Sequence, residues 1–280
     1  MMKKSKKIEE RIFFILMILS AIIIFAALLS IIGVILLKGM HSLSWEIISQ
    51  PPRGGYYYGK SGGVLNAILG SVYLSVSSTF MALVIGLPVA LYINSNLKKT
   101  KKLAGTARFF LELLWGVPSI VYGAFGFTLM IFFGLKASLL AGIITVTALI
   151  LPIMIKAIDE VLRTVPQGIS EASLSLGSTK TQTAFKILTR SAYNGIISAI
   201  LLSFGRAIGE TASVLLTSGY SDHIPTSLTQ PTATLPLAIF FQLGSPIPEV
   251  QGRAYASAFI LTVIVLIVSV SIRLIYRKKY

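Results

Sequence analysis

Arg206 and Glu210 are the two side chains best placed for chemistry, because they stand four residues apart inside a long apolar run, FGRAIGETASVLLTSG. Residues four apart lie on the same face of a helix, so the two side chains can form an ion pair across one turn. A guanidinium also gives bidentate hydrogen bonds to an oxyanion. The pair therefore predicts a transient anion contact, with Arg206 as the ligand and Glu210 as the counter-charge that keeps the contact weak.

The setting of this pair favours a functional role over a packing role. The apolar run from roughly residue 195 to residue 219 is long enough to cross a bilayer, which would place Arg206 near the midplane. A charged residue there costs about 2.5–3.5 kcal/mol on insertion scales. The alternative is a self-neutralised pair that only holds helices together, although leucine or serine would do so without desolvating two charges.

The composition indicates a protein whose solvent is lipid. Of the 280 residues, 54% are hydrophobic and 12% are charged, whereas soluble domains have about 25% charged residues. The net charge of +15 comes from short basic clusters beside apolar runs, which suit anionic lipid headgroups rather than nucleic acid. Cysteine is absent, and His41 and His223 have no partners at metal-ligand spacing, so we expect no disulfide and no metal site.

The apolar runs predict an all-α integral membrane protein with six transmembrane helices. Most of the 25 lysines and arginines fall in inner segments if the N-terminus is cytoplasmic, which predicts that both termini are cytoplasmic. Residues 38–63 and 222–253 then face outward, and residues 94–108 and 156–190 face inward. The six runs cover residues 12–37, 64–93, 109–135, 137–155, 191–221 and 254–272.

Several local patterns refine these spans. Pro118 with Gly116, Gly123 and Gly126 predicts a kinked third span that packs closely on its neighbours. The tyrosines of the outer loop PPRGGYYYGKSGG suit the water–lipid interface. Residues 232–244 are apolar but too short to span, which leaves a re-entrant and a surface-lying helix as alternatives. The adjacent carboxylates at 159 and 160 are expected at a solvated helix end.

The inner loop 160–190 predicts two short helices separated by glycine. Ser170 is the expected N-cap of the first helix, which opens with Glu171, and Gly177 is placed to end it. A second helix is expected to start near Ser178 or Thr179. Such an element suits a groove on a partner protein, and a pair of amphipathic helices lying on lipid is the alternative.

This loop resembles a signature of the permease subunits of ABC importers. The matching residues are Glu171-Ala172-Ser173, Gly177 and Ile187, with serine where the family usually has a second alanine. The family's usual Leu-Pro after the isoleucine is replaced by Thr189-Arg190. GRAIGETA (205–212), GVPSIVYGAFG (116–126) and GGVLNAILGSVYL (62–74) resemble phosphate permeases in particular, and the RAIGETA form resembles the A-type subunit.

The resemblance implies a type I ABC importer permease fold and a subunit that moves inorganic phosphate across the cytoplasmic (inner) membrane as a multi-pass protein. It implies an N-terminal span and outer loop (1–63), a permease core (64–280) and a coupling loop (160–190). Glu171, Ala172 and Gly177 would dock the ATPase. The implied partners are a second, C-type permease, two ATPase subunits and an extracytoplasmic phosphate-binding protein.

The chain has no G-x-x-x-x-G-K-[ST] phosphate-binding loop, so it is not expected to be an enzyme or to hold a cofactor. ATP and Mg²⁺ would bind on the partner ATPase. Two alternatives remain open at this point. One is a permease for another oxyanion, such as sulfate or molybdate, and the other is a self-sufficient secondary transporter or channel.

Overall fold

Long apolar helices form the framework of this chain, for which the computed structural model describes residues 2–53, 61–95 and 101–277. Within these described residues, four helices are long and apolar enough to cross a membrane, and two bent helix pairs raise the number of candidate spans to six. Predicted features at Tyr56, Tyr57, Tyr58, Lys98, Lys99, Lys278 and Lys279 lie outside the described residues.

The elements follow one another from the N-terminus to the C-terminus. The first part of the chain contains α1 (Met2–Ser42), α2 (Trp45–Ser49), a two-stranded antiparallel hairpin of β1 (Pro52–Arg53) and β2 (Ser61–Gly62), α3 (Leu65–Ser95), α4 (Lys101–Gly116), α5 (Ser119–Phe132) and α6 (Leu139–Thr164). The second part contains α7 (Gln167–Ser175), α8 (Lys180–Gln182), a π-helical segment (Thr183–Leu188), α9 (Thr189–Ser191), α10 (Tyr193–Ile208), α11 (Ala212–Leu215), α12 (Leu235–Leu243) and α13 (Pro248–Arg277).

The core lies between α3 and α6, which pack along much of their lengths. Small residues allow the two helices to approach closely, and Ala82 and Val146 are fully buried there. The Ser78 hydroxyl donates to the Ile143 carbonyl across this contact at 3.2 Å. Near the C-terminal end of α1, Gly39 packs against Phe259 of α13. Helices α10, α4 and α5 pack against the α3–α6 pair, whereas α1 packs against α13.

The third span bends as predicted, because α4 and α5 meet at 93° across Val117 and Pro118. Proline has no N–H to continue the α4 ladder, and it disfavours helical dihedrals at the residue before it. Beyond the bend, Gly126 of α5 lies so close to α6 that a Cβ there would be 2.2 Å from the Thr145 hydroxyl oxygen. The predicted close packing of α5 is therefore confirmed.

The prediction of one continuous fifth helix over 191–221 is wrong. A bend of 79° at Ala192 separates α10 from the helices before it, and α10 ends at Ile208. A short loop through Gly209 then leads to the four-residue helix α11. The break falls on Gly209, Glu210 and Thr211, a polar interruption too short to end an apolar run that continues on both sides of it.

The apolar segment 232–244 forms α12, whose first half is buried in the bundle and whose second half includes the exposed Phe240 and Leu243. Leu235 and Leu237 are fully buried between α3 and α13. The Leu235 N–H donates to the Ser71 hydroxyl of α3 at 2.7 Å, and Thr234 caps the helix. The Ser71 side chain thus accepts the Leu235 N–H, which has no acceptor within α12 because it lies in the first turn.

Gly70→Ala is expected to lower the thermal stability of the chain. A Cβ at this position would lie 2.0 Å from the Ala233 carbonyl oxygen, so either α3 or the start of α12 would have to move. Overpacking of this kind costs about 1–3 kcal/mol. Gly105→Ala is the matched control, since a Cβ there meets nothing within 4 Å and alanine favours a helix. Equal unfolding midpoints for the two purified variants in detergent would contradict the packing described for α12.

Candidate functional site

Arg206 and Glu210 form the predicted ion pair, although a helix end lies between them. Arg206 stands in the last turn of α10, where a cation interacts favourably with the helix dipole. Its Nη1 donates to Glu210 Oε2 at 2.5 Å. The α10 helix stops at Gly209, so Glu210 reaches Arg206 from the connecting loop rather than from the next helical turn.

The Glu210 carboxylate is buried and held from two sides. Only 2% of its side chain is exposed, and its second oxygen, Oε1, accepts the Ser213 N–H at 3.0 Å. That amide belongs to the first turn of α11, where no carbonyl within the helix can accept it. Glu210 thus serves as the cap of α11 and as the counter-ion of Arg206. The cap contact fixes the carboxylate in place.

The Arg206 side chain, in contrast, reaches the surface of the chain. It is 42% exposed. Leu202 and Gly209, on the same side of α10, are also exposed, and a Cβ at Gly205 would meet nothing within 4 Å. Glu210 is the hydrogen-bond acceptor of Arg206 within the described residues, so other guanidinium N–H groups remain available to an anion. The arrangement is a surface cation attached to a buried anion.

Helix α5 packs directly behind this pair. A Cβ at Gly123 would lie 3.0 Å from both the Ala212 carbonyl oxygen and the Ser213 Cα. The backbone of α5 therefore lies against the backbone of α11, which is held by Glu210. A shift of α5 would push directly on the helix that positions the carboxylate.

Residues 160–190 contain the predicted helix–glycine–helix element, with one boundary corrected. Ser170 is not the N-cap, because α7 begins a turn earlier at Gln167 with Pro166 before it. Gly177 ends the turn after α7 with a φ of +84°, a conformation that residues with a Cβ rarely adopt. The second helix, α8, starts after Thr179, as predicted, and Thr179 and Gln182 form a reciprocal capping box there.

The surface of this element is open for contact with a partner. Glu171 and Ala172 are exposed on α7, and the apolar side chain of Leu176 is 88% exposed. Ser173 faces the other way and is buried, and its hydroxyl lies 2.9 Å from the Thr183 hydroxyl of the π-helical segment. The serine that replaces the family's usual alanine therefore holds the two halves of the loop together.

Asp159 is a further functional candidate, which the sequence did not indicate. The expected solvated helix end is wrong for this residue, whose side chain is only 4% exposed. Its carboxylate accepts two hydrogen bonds from Arg108 of α4, at 2.8 and 3.0 Å, and one from the Asn94 amide of α3, at 2.5 Å. The neighbouring Glu160 is exposed, as predicted. No local pattern indicates the pairing, because both partners are more than 50 residues away.

No metal centre is formed by the described residues, since they contain no group of three His, Cys, Asp or Glu side chains placed to hold an ion. His41 lies at the end of α1, and His223 lies in the loop after α11. The ionic groups that deserve functional tests are therefore Arg206, Glu210 and Asp159.

The chain is similar in sequence to one family of transport proteins and to several of its members. Residues 82–279 match the family described as binding-protein-dependent transport system inner membrane component. The chain is 33% identical over 245 residues to the phosphate transport system permease protein PstA of Yersinia pestis, covering 86% of this chain and 81% of that protein. It is 34% identical over 250 residues to PstA of Xylella fastidiosa strain 9a5c, covering 86% and 84%.

Solved structures with the same fold include two ABC transporters. A chain of the MetNI methionine transporter, in an inward-facing conformation, aligns with a TM-score of 0.63 at 20% identity, covering 77% of this chain and 96% of that one. A chain of an amino acid ABC transporter aligns with a TM-score of 0.55 at 20% identity, covering 76% and 92%. These likenesses confirm the predicted type I ABC importer permease fold.

Proposed function

Because this chain belongs to the family of binding-protein-dependent transport system inner membrane components, we propose that it is the A-type permease subunit of an ABC importer that carries inorganic phosphate. It is a multi-pass protein of the cytoplasmic membrane. Relatives named for phosphate transport match more than four fifths of the chain, which supports phosphate as the cargo. The structural observation that carries the mechanism is the exposed Arg206 held by the buried Glu210.

The two side chains have different tasks in this mechanism. In the empty site Arg206 donates to Glu210, so its charge is offset. The oxygens of an arriving phosphate accept hydrogen bonds from the guanidinium N–H groups that do not bind Glu210. They also compete with Glu210 for the N–H that Arg206 Nη1 donates to it. Glu210 cannot follow, because its other oxygen is tied to the Ser213 N–H. Arg206 therefore returns to Glu210 when phosphate moves on, and the contact stays weak enough for conduction.

The energy for this cycle comes from partners. Membership of the family implies an ATPase and an external substrate-binding protein. We propose two ATPase copies, a C-type second permease and an extracytoplasmic phosphate-binding protein, with both termini of this chain in the cytoplasm and ATP with Mg²⁺ on the ATPase. Residues 1–63 would form an N-terminal unit beside a permease core of 64–280. Glu171, Ala172 and Gly177 would meet the ATPase.

Uptake by the reconstituted complex tests the proposed function. The complex is placed in liposomes with ATP inside and the external binding protein outside, and uptake of radiolabelled phosphate, sulfate and molybdate is compared. ATP-dependent uptake of phosphate above the other two anions is expected. Preference for sulfate or molybdate would assign a different oxyanion. Uptake by this chain alone, without ATP, would instead identify a secondary transporter or channel.

Glu171→Lys is expected to reduce the ATPase that co-purifies with the chain. The carboxylate is exposed on α7, and reversing its charge places a cation where the partner is expected to complement an anion. We expect a loss of about tenfold in bound ATPase, measured by quantitative immunoblotting of the purified complex. Glu249→Lys, a charge reversal at another exposed position, at the start of α13, should retain the ATPase. Full retention with Glu171→Lys would show that the docking surface lies elsewhere.

A further inference from the structure

Asp159 joins three helices at their inner ends through one buried carboxylate. Oδ2 accepts from Arg108 Nε, and Oδ1 accepts from both Arg108 Nη2 and Asn94 Nδ2. The three residues belong to α6, α4 and α3, and we call them the Asp159 cluster. A buried carboxylate with three charge-assisted or amide hydrogen bonds resists separation, since breaking them would leave its charge without partners.

The coupling loop starts just after this cluster. Asp159 is five residues before the end of α6 at Thr164, and only Val165 and Pro166 separate α6 from α7. A displacement of α7 therefore acts first on the inner end of α6. That end is the part of α6 that the cluster ties to α3 and α4.

Space for such a displacement lies beside the cluster. A cavity of about 320 Å³ separates α7 from the end of α3, with Asn94 and Glu171 among its lining residues. A second cavity of about 450 Å³ is lined by Arg108 and by Gln167 of α7. Side chains do not fill these two cavities, so α7 does not press directly on α3 and α4 there. A movement of α7 instead reaches these helices through α6, to which α7 is connected by two residues.

The cluster also leads to the anion site. Arg108 stands on α4, which continues through the bend at Pro118 into α5. Gly123 of α5 lies against Ser213, whose N–H is held by Glu210. Contiguous contacts thus run from the coupling loop through α6, Asp159, α4 and α5 to the counter-ion of Arg206.

We infer that Asp159 is a positioning residue that makes α4 move together with the packed α3–α6 pair when the coupling loop moves. This inference rests on the proposed function, because the movement is driven by an ATPase docked on that loop. Asp159 touches neither phosphate nor nucleotide. Its contribution is to link ATP hydrolysis to the movement of the anion site.

Asp159→Asn in the complete complex tests the inference. Asparagine has nearly the same shape and removes the charge, and Arg108, with 32% of its side chain exposed, can turn to water or headgroups. The phosphate imported per ATP hydrolysed is expected to fall about tenfold, while assembly and ATP hydrolysis are retained. Arg108→Lys, which keeps the charge but loses the bidentate geometry, should give an intermediate ratio.

The matched control is Glu112→Gln. Glu112 pairs with Lys156 between the same helices, α4 and α6, but its side chain is 57% exposed. Removing this pair should leave the transport ratio unchanged, because exposed ion pairs contribute little. If Asp159→Asn fails to assemble, the Arg108→Ala/Asp159→Asn double variant replaces it, since it leaves no unpaired charge.

The outcomes separate this inference from the proposed function. A wild-type complex that moves no phosphate would overturn the proposed function. A working wild type together with an unchanged ratio in Asp159→Asn, or in the double variant, would overturn the role of the cluster. A lower unfolding midpoint with an unchanged ratio would likewise reduce Asp159 to a stabilising residue.

Discussion

Phosphate uptake by the complex is expected to fall about 100-fold when Arg206 is replaced by alanine. The guanidinium supplies charge-assisted hydrogen bonds to the passing anion, and alanine supplies neither charge nor donor. The exposed position of the side chain predicts that the complex still assembles. The measurement is the initial rate of ATP-driven uptake in liposomes, normalised to the amount of assembled complex.

Two variants separate the anion contact from effects on folding. Arg206→Lys retains the charge without the planar fork and should keep part of the uptake. Arg206→Ala/Glu210→Gln removes the buried charge that Arg206→Ala alone would leave without its ion-pair partner. If the double variant assembles normally and still fails to transport, the loss belongs to the anion contact. Normal uptake in Arg206→Ala would show that Arg206 and Glu210 only hold the helices together.

Glu210→Gln is expected to slow transport for the opposite reason. Glutamine has almost the same volume, and its carbonyl can still accept the Ser213 N–H. Without the negative charge, nothing draws Arg206 away from a bound phosphate. We expect maximal uptake to fall about tenfold while the purified complex, without its external binding protein, retains radiolabelled phosphate more tightly.

Whether Glu210→Gln retains radiolabelled phosphate more tightly or more weakly than the wild type decides the role of Glu210. Weaker retention together with slower uptake would mean that the carboxylate supports the site or the fold rather than release. Glu112→Gln is the control for loss of a carboxylate elsewhere, since Glu112 lies on α4 and pairs with Lys156. Its uptake and retention should match those of the wild type.

The spans were predictable because uncharged runs long enough to cross a bilayer are rare in any other context. The bend of the third span followed from Pro118, whose missing N–H and effect on Val117 are local properties. The same holds for the end of the first coupling helix at Gly177, whose positive φ suits glycine. These features depend on neighbouring residues and are therefore visible in a single sequence.

The breaks and pairings that depend on distant residues were not predictable. The end of α10 is marked only by a short polar interruption, Gly209 to Thr211, which a membrane helix can contain without breaking; the break depends on Glu210, which caps the Ser213 amide. Asp159 carries no local sign at all, since Asn94 and Arg108 approach it from two other helices. The burial of α12 likewise depends on α3 and α13, which a segment of nine residues cannot reveal.

The most direct test of the account uses Arg206→Cys in the complex with cysteine-free partners, which is feasible because this chain contains no cysteine. A water-soluble thiol reagent that carries an ammonium group should reach residue 206 and restore part of the phosphate uptake, because it returns a cation to the aqueous path. A reagent of the same size that carries a sulfonate should react and restore nothing. A thiol at 206 that neither reagent reaches, or equal uptake after both, would contradict the claim that a cation at this position meets the passing anion.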